Sequence, residues 1–180
     1  METNIRFTHK TLVEKCKTGH SSSQYQLYSL YVDAMYNIGM RMLGSKEDAE
    51  DVVQDSFVDA FKNLSKFKYE STFGAWLKRI VINKSINHLK AKRILAVPME
   101  DHEYHLKEEI NEEPIAAVDI KKVKAGMAQL PNGYKQIMNL YLIEGYDHKE
   151  ISEILDISTA TSKSQYHRAK KKLVEIINEL

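Results

Sequence analysis

One cysteine, three prolines, seven glycines and a single tryptophan in 180 residues set the first limits on this chain. A lone cysteine, Cys16, excludes an internal disulfide and suits a reducing interior, so a cytoplasmic protein is expected. So few prolines and glycines leave few turns, and nowhere do β-branched residues alternate with polar ones over the length of a strand; long helices with short connections are expected. No apolar run reaches membrane-spanning length, and the opening METNIRFTHK has no apolar centre to act as a signal peptide, so no membrane insertion is expected. No catalytic constellation is visible, which favours a binding protein over an enzyme, with no cofactor and no metal. His102, Glu103 and His105 sit in an acidic stretch that lacks the fixed surroundings a metal site needs.

What is present is charge, unevenly placed. The apolar fraction of 43% and charged fraction of 28% describe a soluble globular chain. The formal net charge of +1 hides +5 over residues 1–95, −7 over 96–120 and +3 over 121–180. Two basic segments thus flank an acidic one, and phosphate binding needs a local positive field rather than a positive total.

Taken in order, the pattern predicts a short helix over 10–20, closed by Gly19, and a second over 24–43 after a polar restart at 21–23. A third helix is predicted over 46–64, with Ala49, Val53, Phe57, Ala60, Phe61 and Leu64 on one face. Asp48, Asp51, Asp55 and Asp59 fall nearly opposite. That acidic row is either a solvated face or a docking surface for a basic partner; its lack of interleaved lysine suits docking, since mixed signs would stabilise an isolated helix better. The loop 65–73 carries Phe67, Tyr69 and Phe73, either as packing plugs or as platforms for bases. A fourth helix follows to residue 92, on which Trp76, Leu77 and Ile80 can pack inward and Ile82, Ile86 and Leu89 form a second apolar stripe. Between them Trp76, Arg79, Asn83, Asn87 and Lys90 line up, a mixture suited to unpaired bases and their phosphates.

Residues 96–119 read as an acidic linker. Beyond it, Asn132 is placed to cap a helix carrying Ile137, Leu140, Tyr141 and Ile143, which Gly145 ends. Asp147 and Glu150 form a capping box on HKEISEIL, Asp156-Ile157-Ser158 is a tight turn, and a last helix runs to about 179. Helix, three-residue turn and helix match a helix-turn-helix. Its second helix offers Thr161, Lys163, Ser164, Gln165, His167, Arg168 and Lys171 to a major groove; a plain helical hairpin with a basic face is the other reading. The fold class expected is all-α: two small helical domains, 1–95 and 120–180, joined by the acidic linker.

The order of these parts resembles the extracytoplasmic-function class of bacterial RNA polymerase sigma factors over residues 12–173. The N-terminal half is similar to the family's minus-ten domain in DAEDVVQDSFVDAF and STFGAWLKRIVINKSINHL. The C-terminal half is similar to the minus-thirty-five domain in LPNGYKQIMNLYLIEGYDHKEISEILDISTATSKSQYHRAKKKL. The resemblance implies that Asp48, Asp51, Gln54 and Asp55 dock on core polymerase. It implies that the loop with Phe67, Tyr69, Ser71 and Phe73 captures a flipped base, beside Trp76, Arg79, Asn83 and Lys84 on the supporting helix. It places Lys163, Ser164, His167 and Arg168 at the minus-thirty-five element, and likens the linker to the segment threaded through the polymerase. The partners implied are core polymerase, promoter DNA and an anti-sigma factor, with a monomer when free. Asp156 replaces the family's small or glycine turn residue, Ser152 and Ser162 stand where alanine and valine are usual, and Gln165 replaces a common arginine. A helix-turn-helix regulator that works without polymerase is the alternative, and it leaves the acidic row and loop aromatics without a role.

Overall fold

The computed structural model describes residues 9–92 and 120–180, so the acidic segment 96–119 and its histidines lie outside the described residues. The described residues are helical, contain no strand, and fall into two compact units on either side of that segment. Among them no helix is long and apolar enough to cross a membrane, and no group of three His, Cys, Asp or Glu side chains is placed to hold a metal.

Among its described residues the N-terminal unit has four α-helices: α1 (Lys10–Lys17), α2 (Ser21–Leu43), α3 (Lys46–Lys62) and α4 (Phe73–Ala91). Helix α2 starts three residues before the pattern suggests, because the His20 imidazole acts as its N-cap and accepts from the Ser23 amide and hydroxyl at 3.2 and 2.9 Å. Gly44, at φ +71, ends it in the left-handed region that glycine adopts without strain. Helix α3 stops before the expected end, at Lys62, and a single 3-10 turn, Leu64–Lys66, still carries Leu64 into the core. Leu27, Met35, Ile38 and Met42 of α2 meet Val52, Val53 and Phe57 of α3 and Leu77, Val81, Ile82 and Ile86 of α4, all buried. Each such side chain contributes roughly 1.5–3 kcal/mol by leaving water. A Cβ on Gly39 would lie 3.3 Å from Val53, so this glycine sets how closely α2 and α3 approach.

The C-terminal unit contains α5 (Ile120–Gln129), α6 (Asn132–Met138), α7 (His148–Leu155) and α8 (Thr159–Glu179). Leu130, Met138, Ala169, Leu173 and Ile176 form its core. Asn132 is the first helical residue of α6 and not its cap; Pro131 takes that position without a side-chain bond. The helix expected to continue to Ile143 changes into a π turn, Asn139–Ile143, with the Glu144 amide donating to the Asn139 carbonyl at 2.9 Å. One extra residue per turn rotates the face, so Leu140 stays buried while Leu142 and Ile143 point outward. The capping box is present as expected: Asp147 accepts from the Glu150 amide at 2.8 Å, and Glu150 accepts from the Asp147 amide at 3.0 Å. Asp156 closes α7 at φ +60, and Ser158 caps α8 by accepting from the Thr161 amide at 2.9 Å.

Candidate polymerase and nucleic-acid interfaces

Along α3 the acidic row splits into two kinds of residue. Asp51, Gln54 and Asp55 are exposed, and Val58, one turn further, is 43% accessible on the same side. Asp48 behaves differently. Lys92 Nζ lies 2.7 and 2.8 Å from its two carboxylate oxygens, and His88 Nε2 is 3.1 Å away. The hydrogen bond from Lys92 holds the Asp48 carboxyl below the usual carboxylate range. Asp59 is likewise held below that range by its bond to Lys84, at 2.7 Å. Helices α3 and α4 run antiparallel, so the first turn of one meets the last turn of the other and carboxylates find ammoniums across the gap. Asp48 thus ties the first turn of α3 to the last turn of α4, and Lys84 is paired with Asp59. Val58 was not singled out from the sequence; its signal is an aliphatic residue three and four positions after Asp55 and Gln54 on an otherwise polar face.

The loop after α3 is mostly packed. Phe67 and Phe73 are 4% and 2% exposed, which corrects the expectation that their rings stand ready for a base. Phe67 packs on Trp76 at 5.2 Å between ring centres, and Phe73 on Tyr31 of α2 at 5.3 Å; together they close the top of the core. Tyr69 is half-buried against Phe67 at 4.7 Å, with its hydroxyl donating to Glu14 of α1. Burial and that carboxylate push the Tyr69 phenol above its ordinary range. Thr72 starts α4 by accepting from the Ala75 amide at 3.2 Å. Beside these rings lies an open pocket of about 270 Å³ lined by Lys66, Phe67, Lys68, Glu70, Ser71 and Trp76. Ser71 and Trp76 were expected here; Lys66, Lys68 and Glu70 were not, although lysines on both sides of Phe67 were a visible sign. Along α4, Arg79, Asn83, Asn87 and Lys90 are exposed and Trp76 half-exposed, while Val81 and Ser85 join the buried stripe.

In the C-terminal unit α7 and α8 are joined by a polar contact within an aromatic stack. His148 Nδ1 lies 3.0 Å from the Ser162 hydroxyl and its ring stacks on Tyr141 at 4.7 Å, with Tyr166 edge-on at 5.6 Å. This gives Ser162 its reason at a position where an apolar residue is usual. Desolvation, aided by the Lys163 charge, pushes the His148 imidazole below its ordinary value. On α8, Lys163, His167 and Lys171 are exposed at four-residue spacing, joined by Lys170, and Thr161, Ser164 and Arg168 are half-buried. Gln165 is buried, with Oε1 lacking a hydrogen-bond partner, which corrects its assignment to DNA. It lies one turn from Ser162 and Ala169, on the core side. Thr161 and Ser164 are partly engaged as well: Thr161 Oγ1 lies 2.8 Å from Ser158 Oγ, and Ser164 donates to the Thr161 carbonyl at 3.0 Å.

Comparison with known proteins places both units. A family model described as sigma-70 region 2 matches residues 27–94, and one described as sigma-70, region 4 matches 120–173. An extracytoplasmic-function RNA polymerase sigma factor of Bacillus subtilis, SigW, is 25% identical, covering 95% of this chain and 97% of its own. A sigma-E factor of Haemophilus influenzae is 28% identical, with coverage of 97% and 98%. Among solved structures, the sigma factor RpoE in complex with the anti-sigma factor NepR from Bartonella quintana shares the fold, with a TM-score of 0.56, 23% identity and coverage of 86% and 96%. The two matches, in order on two helical units, make this chain a member of the extracytoplasmic-function class of RNA polymerase sigma factors.

Proposed function

We propose that this sigma factor docks on core polymerase through Asp51, Gln54, Asp55 and Val58 and holds minus-thirty-five duplex on the outer face of α8. It then starts minus-ten opening with the pocket beside Trp76 and the α4 strip. It works by binding alone, in the cytoplasm where polymerase and chromosome meet. The observation that carries this reading is the pocket rimmed by Lys66 and Lys68 and walled by Trp76, which leads along α4 into Arg79, Asn83, Asn87 and Lys90. An aromatic wall stacks a base, amides meet its edge, and the cations hold its phosphates; stacking offsets unpairing by roughly 1–3 kcal/mol per base. The solved relative bound to an anti-sigma factor supports a comparable inhibitor here.

Transcription in vitro with core polymerase and a genomic fragment library tests the reading. Transcripts should start downstream of two shared elements, and a lack of sigma-dependent starts would overturn it. On a fragment so obtained, Asn83→Ala and Trp76→Ala should reduce permanganate-reactive thymines at the minus-ten element about tenfold while changing duplex affinity less than threefold. Normal reactivity in both variants would remove the strip from the mechanism.

A further inference from the structure

We infer that α1 positions the base-capturing loop, with Glu14 and Lys17 holding Tyr69, and through it the pocket, in receiving shape. The inference rests on the pocket's role proposed above. The Tyr69 hydroxyl donates to the Glu14 carboxylate, and Lys17 Nζ donates to the same carboxylate at 3.0 Å. The same ammonium donates to the Phe67 carbonyl at 3.3 Å and lies 4.6 Å from the centre of the Tyr69 ring, with Lys10 at 5.4 Å. One short helix thus grips both the backbone and the side chain of the loop, from 50 and 55 residues away in sequence.

Tyr69 has φ +61, in the left-handed region that bulky L-residues rarely adopt. Such a conformation persists where the surroundings over-determine it. The residues before and after it, Lys68 and Glu70, both line the pocket, as does Phe67. The strained residue is therefore the hinge on which three pocket residues hang. Glu14 is half-exposed, its side chain 51% accessible, so the network adds little to the stability of the core. Its effect is to order a loop in advance, which lowers the entropy lost when a base binds.

The test uses reconstituted holoenzyme and a duplex promoter fragment from the library selection, carrying 2-aminopurine in the minus-ten non-template strand. Glu14→Gln and Tyr69→Phe should each slow opening at saturating holoenzyme about three- to tenfold, and the double variant should be no slower than the slower single. Core affinity and closed-complex affinity should stay within twofold of wild type, and thermal unfolding should be nearly unchanged. Wild-type opening rates in both singles, multiplying effects in the double variant, or a lowered melting temperature with unchanged opening would each overturn the inference. Wild-type holoenzyme unable to open any selected fragment would instead overturn the proposed pocket function, and the inference with it.

Discussion

Removing the Phe73 ring should cost the N-terminal unit roughly 3–5 kcal/mol, because the residue is 2% exposed and wedged between Tyr31, Phe67 and Trp76. Thermal or denaturant unfolding of Phe73→Ala measures this, and a loss below about 1 kcal/mol would return the ring to the DNA-facing surface. At this scale the sequence was easiest to misread. An aromatic in a loop looks the same whether it plugs a core or awaits a base, and only its neighbours decide. Gln165 failed for the same reason: its amide suits adenine, but its position on α8 points into the core. Exposed residues such as Asp51, Asn83 and Lys163 were legible because helical spacing alone puts them opposite the apolar stripe.

Elements were read better than single residues, since caps and periodicity act locally. The capping box at Asp147 and Glu150 is present, and so is the tight turn from Asp156 to Ser158 between α7 and α8. The π turn was not legible, because it arises from competition between burying Leu140 and continuing the α-helical register. Helix α3 carries its own prediction. Asp51→Lys combined with Asp55→Lys should weaken core binding tenfold or more, roughly, without unfolding the unit; Asp48→Asn should instead loosen the α3–α4 pairing through loss of Lys92. Fluorescence anisotropy with labelled sigma factor distinguishes the two, and unchanged core affinity in the double reversal would remove this face from docking. For α7 and α8 the sign follows from His148, whose imidazole is held below its ordinary value of 6.5. Well above pH 6.5 both folded and unfolded states are neutral and the contact is fully present. As pH falls below that value the unfolded chain takes up the proton first, so stability declines. Thermal melts from pH 8 to pH 5 should show a loss that His148→Gln reduces.

For the whole molecule, a total charge of +1 conceals surfaces of opposite sign, and DNA affinity should follow the local charges. The slope of log affinity against log salt for holoenzyme on a selected promoter should fall by about 1 with Lys163→Gln or Lys171→Gln, and stay unchanged with Gln165→Met. Two helical units and their order were legible throughout, because each carries its own apolar periodicity. The ion pairs across α3 and α4 were not, since nothing in the spacing of Asp48 and Lys92 along the chain announces that they meet. Lys92 is also the C-cap of α4, directly after Ala91. A pull on the C-terminal end of α4 would meet a side chain clasped by the first turn of α3. The load is then shared between the ends of two antiparallel helices and resisted in shear, where an unclasped α4 would peel from its last turn.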